Sequence, residues 1–198
     1  MSAKSKTGRV LEPTPWCTVG PYFSVTVTDA NCVRAIAPAD AKGEHLKLLC
    51  SVFDRDGKCV PDTLIEIWQA NADGKYNHPD DRQAKSIDAS FRGFGRQITD
   101  ENGACEFETI KPGPVPGRGK SLQAPHLEVG VFTRGVLKHL ATRIYFSGDA
   151  ANGECPALAL VPKARRATLM AQPVAGQPGT WQHEIHLSGP KETAFFDV

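Results

Sequence analysis

The chain has 198 residues and a mass of 21.4 kDa, with 23 Lys and Arg against 22 Asp and Glu and a formal charge of +1. That length holds one well-buried core and not two ordinary domains, and the balanced charge excludes the basic footprint of a nucleic-acid or anionic-membrane binder. Its 18 glycines and 15 prolines exceed the usual ~12% of a globular chain and favour short strands joined by turns, which excludes a helical bundle.

The polar, basic start Met1-Ser2-Ala3-Lys4-Ser5-Lys6 leads into no apolar stretch, which predicts a chain without a signal peptide, and no window approaches the ~18 apolar residues of a membrane span. Cys17, Cys32, Cys50, Cys59, Cys105 and Cys155 form no C-x-x-C pair. Reduced, mostly buried thiols in a cytoplasmic protein are therefore expected.

Residues 1–43 carry turn chemistry at Pro13, Pro15, Gly20 and Pro21 and little periodicity, so an extended arm lying on another surface is predicted. Leu46 to Phe53 and Leu64 to Trp68 read as strands, closed by Asp56-Gly57 and by Asn71 with Asp73-Gly74. Residues 77–93 read as a long loop. Asn102-Gly103 marks a hairpin between Arg96–Thr99 and Cys105–Thr109, and the three prolines of Lys111 to Gly117 keep that run out of any central strand. His126 to Thr133 alternates, with Leu127, Val129 and Val131 on one face and His126, Glu128, Gly130 and Phe132 on the other. Leu140 to Phe146 alternates as well. A short helix is predicted over Lys163–Ala171, and strands over Trp181–Leu187 and Thr193–Val198. The pattern predicts a single all-β domain over 1–198: an antiparallel β-sandwich with long Pro/Gly-rich loops, an extended N-terminal arm and one short helix.

The residues alone offer one sharp chemical signal. On a strand, His126 and Glu128 share a face and could converge on an ion, and with a distant histidine they would make the two-histidine-one-carboxylate site of ferrous oxygenases. His183 and His186 stand at i and i+3 of a strand pattern, so they point to opposite faces and read as one packed and one solvated histidine. Trp68 reads as a core residue. No P-loop, G-x-G-x-x-G or G-x-S-x-G is present.

Longer runs carry more. Glu66-Ile67-Trp68-Gln69-Ala70-Asn71-Ala72-Asp73-Gly74-Lys75-Tyr76, Thr109-Ile110-Lys111-Pro112-Gly113-Pro114 and Ala124-Pro125-His126, with the ending Thr193-Ala194-Phe195-Phe196-Asp197, resemble in order and spacing the intradiol ring-cleavage dioxygenases. The resemblance spans roughly residues 13–198. It implies ferric iron held by two tyrosines and two histidines in catalytic chains, where anionic phenolates stabilise the ferric state. Here the first tyrosine matches Tyr76 and the first histidine His126, but the second tyrosine falls on Val115, the second histidine on Glu128, and an arginine near the substrate on Gln123.

With two of four ligands left, the resemblance implies an alpha-type chain that binds no metal and is inactive alone. Its partner is then a homologous beta chain carrying the ferric iron, in a larger symmetric oligomer acting on protocatechuate and dioxygen to give 3-carboxy-cis,cis-muconate. The family pattern further implies that Thr18, Gly20, Pro21 and Tyr22 of the arm, and Arg134 beside Gly135, line the substrate cavity of that partner. Two other readings stay open from sequence: a stand-alone ferrous oxygenase using His126 and Glu128, and a non-enzymatic β-sandwich that binds aromatic ligands or partners.

Overall fold

The computed structural model describes Pro15, residues 17–20, Phe23 and residues 31–87 and 90–197. Alternation builds the strands. In β1 (His45–Phe53) Leu46, Leu48, Cys50 and Val52 are buried while the intervening residues are not. The same parity sends Ile65 and Ile67 of β2 (Leu64–Trp68), and Leu127, Val129 and Val131 of β7 (His126–Phe132), into one core. Phe107 of β4 (Ala104–Ile110), Ile144 and Phe146 of β8 (Leu140–Phe146) and Ile185 of β10 (Thr180–His186) complete it.

Together with β3 (Phe94–Ile98) and β9 (Met170–Pro173), these strands form one eight-stranded sheet in the order β3-β2-β7-β8-β9-β10-β1-β4. Its free ends are bridged by residues 33–36: Val33 pairs with Arg96 of β3, Ala35 with Glu108 of β4, and the Ile36 N–H donates to the Glu108 carbonyl at 2.8 Å. The sheet is thereby curled almost into a barrel, with Ile36 in the core. A two-stranded ladder of β5 (Val115–Pro116) and β6 (Leu122–Gln123) lies outside it.

The chain is all-β in the broad sense expected, but not purely antiparallel. β8 pairs with β9 and β1 with β10 in parallel, and β9 joins the two halves into one sheet. The helix expected over Lys163–Ala171 is a 3₁₀ turn at Lys163–Leu169, entered from Pro162, whose carbonyl accepts from the Arg165 N–H. Its last residues become β9, because they fill the gap between β8 and β10; tertiary pairing outweighs local propensity there. An unexpected α1 (Pro156–Ala159) follows a 3₁₀ turn at Ala150–Glu154. The C-terminal strand is reduced to one bridge, Phe196 to Ala141, after the turn at Gly189 to Glu192. Among the described residues no helix is long and apolar enough to cross a membrane.

Candidate functional site

Two loops cross at the end of β2. The buried Gln69 donates from Nε2 to the Ile110 carbonyl at 3.0 Å and accepts from Thr109 Oγ1 at 2.6 Å. Asn71 closes the next turn on itself, its Oδ1 accepting from the Asp73 and Lys75 N–H groups. The Asn71 carbonyl then takes both the Gly74 and the Gly113 N–H at 2.9 Å. Side chains have no room at this crossing. A Cβ on Gly113 would fall 2.6 Å from the Gly74 nitrogen and closer still to the Ala72 carbonyl oxygen, and Gly74 has φ +76°. The two longest motifs of the sequence are thus the two halves of one backbone lock, and it brings Tyr76 and Val115 to one place. Both line an open groove of about 550 Å³, with Asp80, Asp81 and Gln123.

Beside that groove lies a closed polar cluster. Strand register sets Glu128 across from Arg143 and His126 across from Tyr145. The Arg143 guanidinium grips the Glu128 carboxylate with two nitrogens, Nη2 to Oε1 at 2.7 Å and Nε to Oε2 at 3.1 Å. Its Nη1 donates to Gln123 Oε1 at 2.7 Å and lies 3.4 Å from the Tyr145 hydroxyl, and the Phe196 ring sits 5.7 Å from the guanidinium carbon. Gln123 in turn donates to the Pro116 carbonyl and pairs with Val115. His126, almost wholly buried, bonds through Nδ1 to the Ala124 carbonyl at 2.7 Å, and its Nε2 faces Glu128 Oε1 at 3.2 Å.

The charges here compensate one another. Burial would raise the Glu128 carboxyl, but the His126 bond and the Arg143 charge hold it below its usual value. Burial would lower Arg143, and the Glu128 charge more than offsets that. Burial, reinforced by the Glu128 charge, pushes the Tyr76 phenol well up, and burial does the same for Tyr145.

The residual family positions Tyr76, Val115, Gln123, His126 and Glu128 therefore converge, yet they do not fit a ferric ion. Val115 has no donor atom, and the carboxylate at Glu128 is already committed to a guanidinium. Among the described residues no group of three or more His, Cys, Asp and Glu side chains could hold a metal, so His126 and Glu128 share a face but lack the third ligand a ferrous site needs. Arg143 escaped the sequence reading. Pairing the alternating runs 126–133 and 140–146 as a hairpin would have set it opposite Glu128, an opposite-charge cross-strand pair.

Arg134 and Thr18 stand elsewhere. β7 separates them from His126 by about 20 Å of strand. There Thr18 Oγ1 accepts the Gly135 N–H at 2.9 Å, which ties the arm to the Arg134 turn, and the largely exposed Arg134 pairs with Asp62 at 3.0 Å. Gly20 has open space around it, whereas Pro21 and Tyr22 lie outside the described residues.

Two further expectations change. Trp68 is only half-buried and stacks on Tyr76, with ring centroids 6.0 Å apart, because it shares strand parity with Glu66 and not with the core residues Ile65 and Ile67. His183 is buried as expected, but His186 is largely covered, stacked on Phe53 at 5.1 Å.

Comparison with known proteins agrees with this geometry. The Dioxygenase_C family of dioxygenases matches residues 18–178. The chain is 39% identical over 201 residues to the protocatechuate 3,4-dioxygenase alpha chain of Burkholderia cepacia, covering 95% of this chain and 98% of that one. To the beta chain of the same organism it is 36% identical over 141 residues, covering 70% of this chain and 60% of that one. Among solved structures, the dioxygenase domain of a carbohydrate-binding fusion protein from Streptomyces sp. SirexAA-E shares the fold at a TM-score of 0.60 and 24% identity, covering 92% of this chain and all of that one. Motifs, fold and similarity converge: the chain belongs to the intradiol ring-cleavage dioxygenase family.

Proposed function

We propose that this chain is the alpha-type, non-iron-binding subunit of a cytoplasmic protocatechuate 3,4-dioxygenase, joined in a larger symmetric oligomer to a homologous beta-type chain that carries the ferric iron. The assembly cleaves protocatechuate with dioxygen to 3-carboxy-cis,cis-muconate. One observation carries this reading: the cluster at the family's ligand positions holds an internal ion pair, Arg143 with Glu128, joined through Gln123 to a donorless Val115. The near full-length match to an alpha chain, against partial coverage of a beta chain, supports the same assignment.

This chain then contributes walls and not a reaction centre. Thr18, Gly20, Pro21, Tyr22 and Arg134 face the partner's cavity, where a fixed guanidinium meets an anionic substrate or an anion formed from it. The distance of Thr18 and Arg134 from this chain's own cluster is consistent with service to a neighbour. The test is protocatechuate-dependent oxygen uptake by the purified chain alone and after co-expression with a beta-type chain. Turnover only in the complex is expected; turnover by the isolated chain overturns the proposal.

A further inference from the structure

We infer that the Arg143 guanidinium is an internal cation that holds the residual ligand positions together and keeps metal ions out of them. The inference rests on the subunit reading and adds the residue responsible. All three guanidinium nitrogens have an acceptor: Nε and Nη2 on Glu128, and Nη1 on Gln123 with the Tyr145 hydroxyl 3.4 Å away, while the Phe196 ring covers the plane. Through these partners Arg143 links β7, β8, the β5–β6 ladder and the C-terminal segment, the work of cross-linking that a coordinated ion does elsewhere.

His126 shows what the arrangement displaces. A ring nitrogen fixed on a backbone carbonyl with the other aimed inward is the posture of a metal-ligating histidine, and His126 keeps it through the Ala124 carbonyl. Its inward nitrogen faces a carboxylate that is already neutralised. A divalent ion entering beside Arg143 would meet a fixed positive charge with no spare anion to offset it, a repulsion that partial burial strengthens. Loss of a donor at Val115 makes the site poor; Arg143 makes it closed.

The experiment compares Co²⁺ binding by the full chain and three variants, read by metal content after dialysis and by the d–d absorption of the bound ion. The parent is expected to bind none. Arg143→Gln frees the Glu128 carboxylate beside His126 and should bind one Co²⁺ at least about a hundredfold more tightly than the parent. Because that variant leaves Glu128 unpaired, Glu128→His with Arg143→Gln removes both charges at once and should bind as well. Glu128→His alone supplies a second imidazole but keeps the guanidinium, and it should stay metal-free. Circular dichroism confirms that each variant is folded. If folded variants lacking Arg143 bind no better than the parent, or if Glu128→His alone binds as tightly as the double variant, the role of Arg143 is refuted while the subunit reading stands. Stoichiometric binding by the parent instead overturns the subunit reading.

Discussion

Gly74 and Gly176 offer a matched pair for the backbone lock. Their φ angles are nearly equal, +76° and +75°, so Ala at either position carries the same left-handed penalty of about 1 kcal/mol. Their surroundings differ. A Cβ at Gly176 meets nothing within 4 Å, whereas at Gly74 it would lie 2.9 Å from the Pro114 carbonyl carbon and closer still to its oxygen. Those are backbone atoms and cannot rotate away, so the Gly74 and Pro114 loops must part. Parting strains the N–H bonds of Gly74 and Gly113 to the Asn71 carbonyl, and overpacking plus weakened bonds adds about 2–3 kcal/mol. In a chain of this size a kcal/mol moves the melting temperature by about 2–4 °C. Gly74→Ala should therefore melt about 8 °C below Gly176→Ala, followed by far-UV circular dichroism at one protein concentration and scan rate. Equal melting temperatures within about 2 °C would refute the interlock as the reason for those motifs.

Three other outcomes are expected. Thr109→Val leaves the buried Gln69 Oε1 without the donor now 2.6 Å away and should cost about 1–3 kcal/mol in denaturant unfolding, with an unchanged m-value. His183 is buried, and burial, outweighing the backbone of Met170, lowers its pKa to about 4. The unfolded state then binds the extra proton between about pH 6.5 and 4, so stability falls as pH drops through that window, by about 3 kcal/mol when complete; His183→Phe should flatten that slope in urea titrations at pH 5 and pH 8, and an unaltered slope would count against it. Arg134→Ala in the assembled enzyme should lower kcat/KM for protocatechuate about tenfold; unchanged kinetics with the complex intact would remove Arg134 from the cavity.

Strand alternation made most of the fold legible, because Leu127, Val129 and Val131, or Leu46, Leu48 and Val52, point inward by parity alone. Parity applied once more would have placed Trp68 on the face of Glu66; its place in an apolar strand argued for the core, and the structure stacks it on Tyr76 instead. β9 was hidden because Met170–Pro173 is a strand only between two others. At the site, family positions could be mapped one by one from sequence, and they do converge. What filled the gap between them could not be read that way, since Arg143 belongs to no motif and reaches Glu128 only through the register of a hairpin. Likewise the separation of Arg134 and Thr18 from His126 follows from strand length and direction, which the motifs do not encode.

The most direct test of the account is the iron stoichiometry of the purified, fully active assembly with its beta-type partner. One iron per pair of chains is predicted, with none released when this chain's His126 and Tyr76 are replaced. Two irons per pair, or a loss of half the iron on replacing His126, would contradict it.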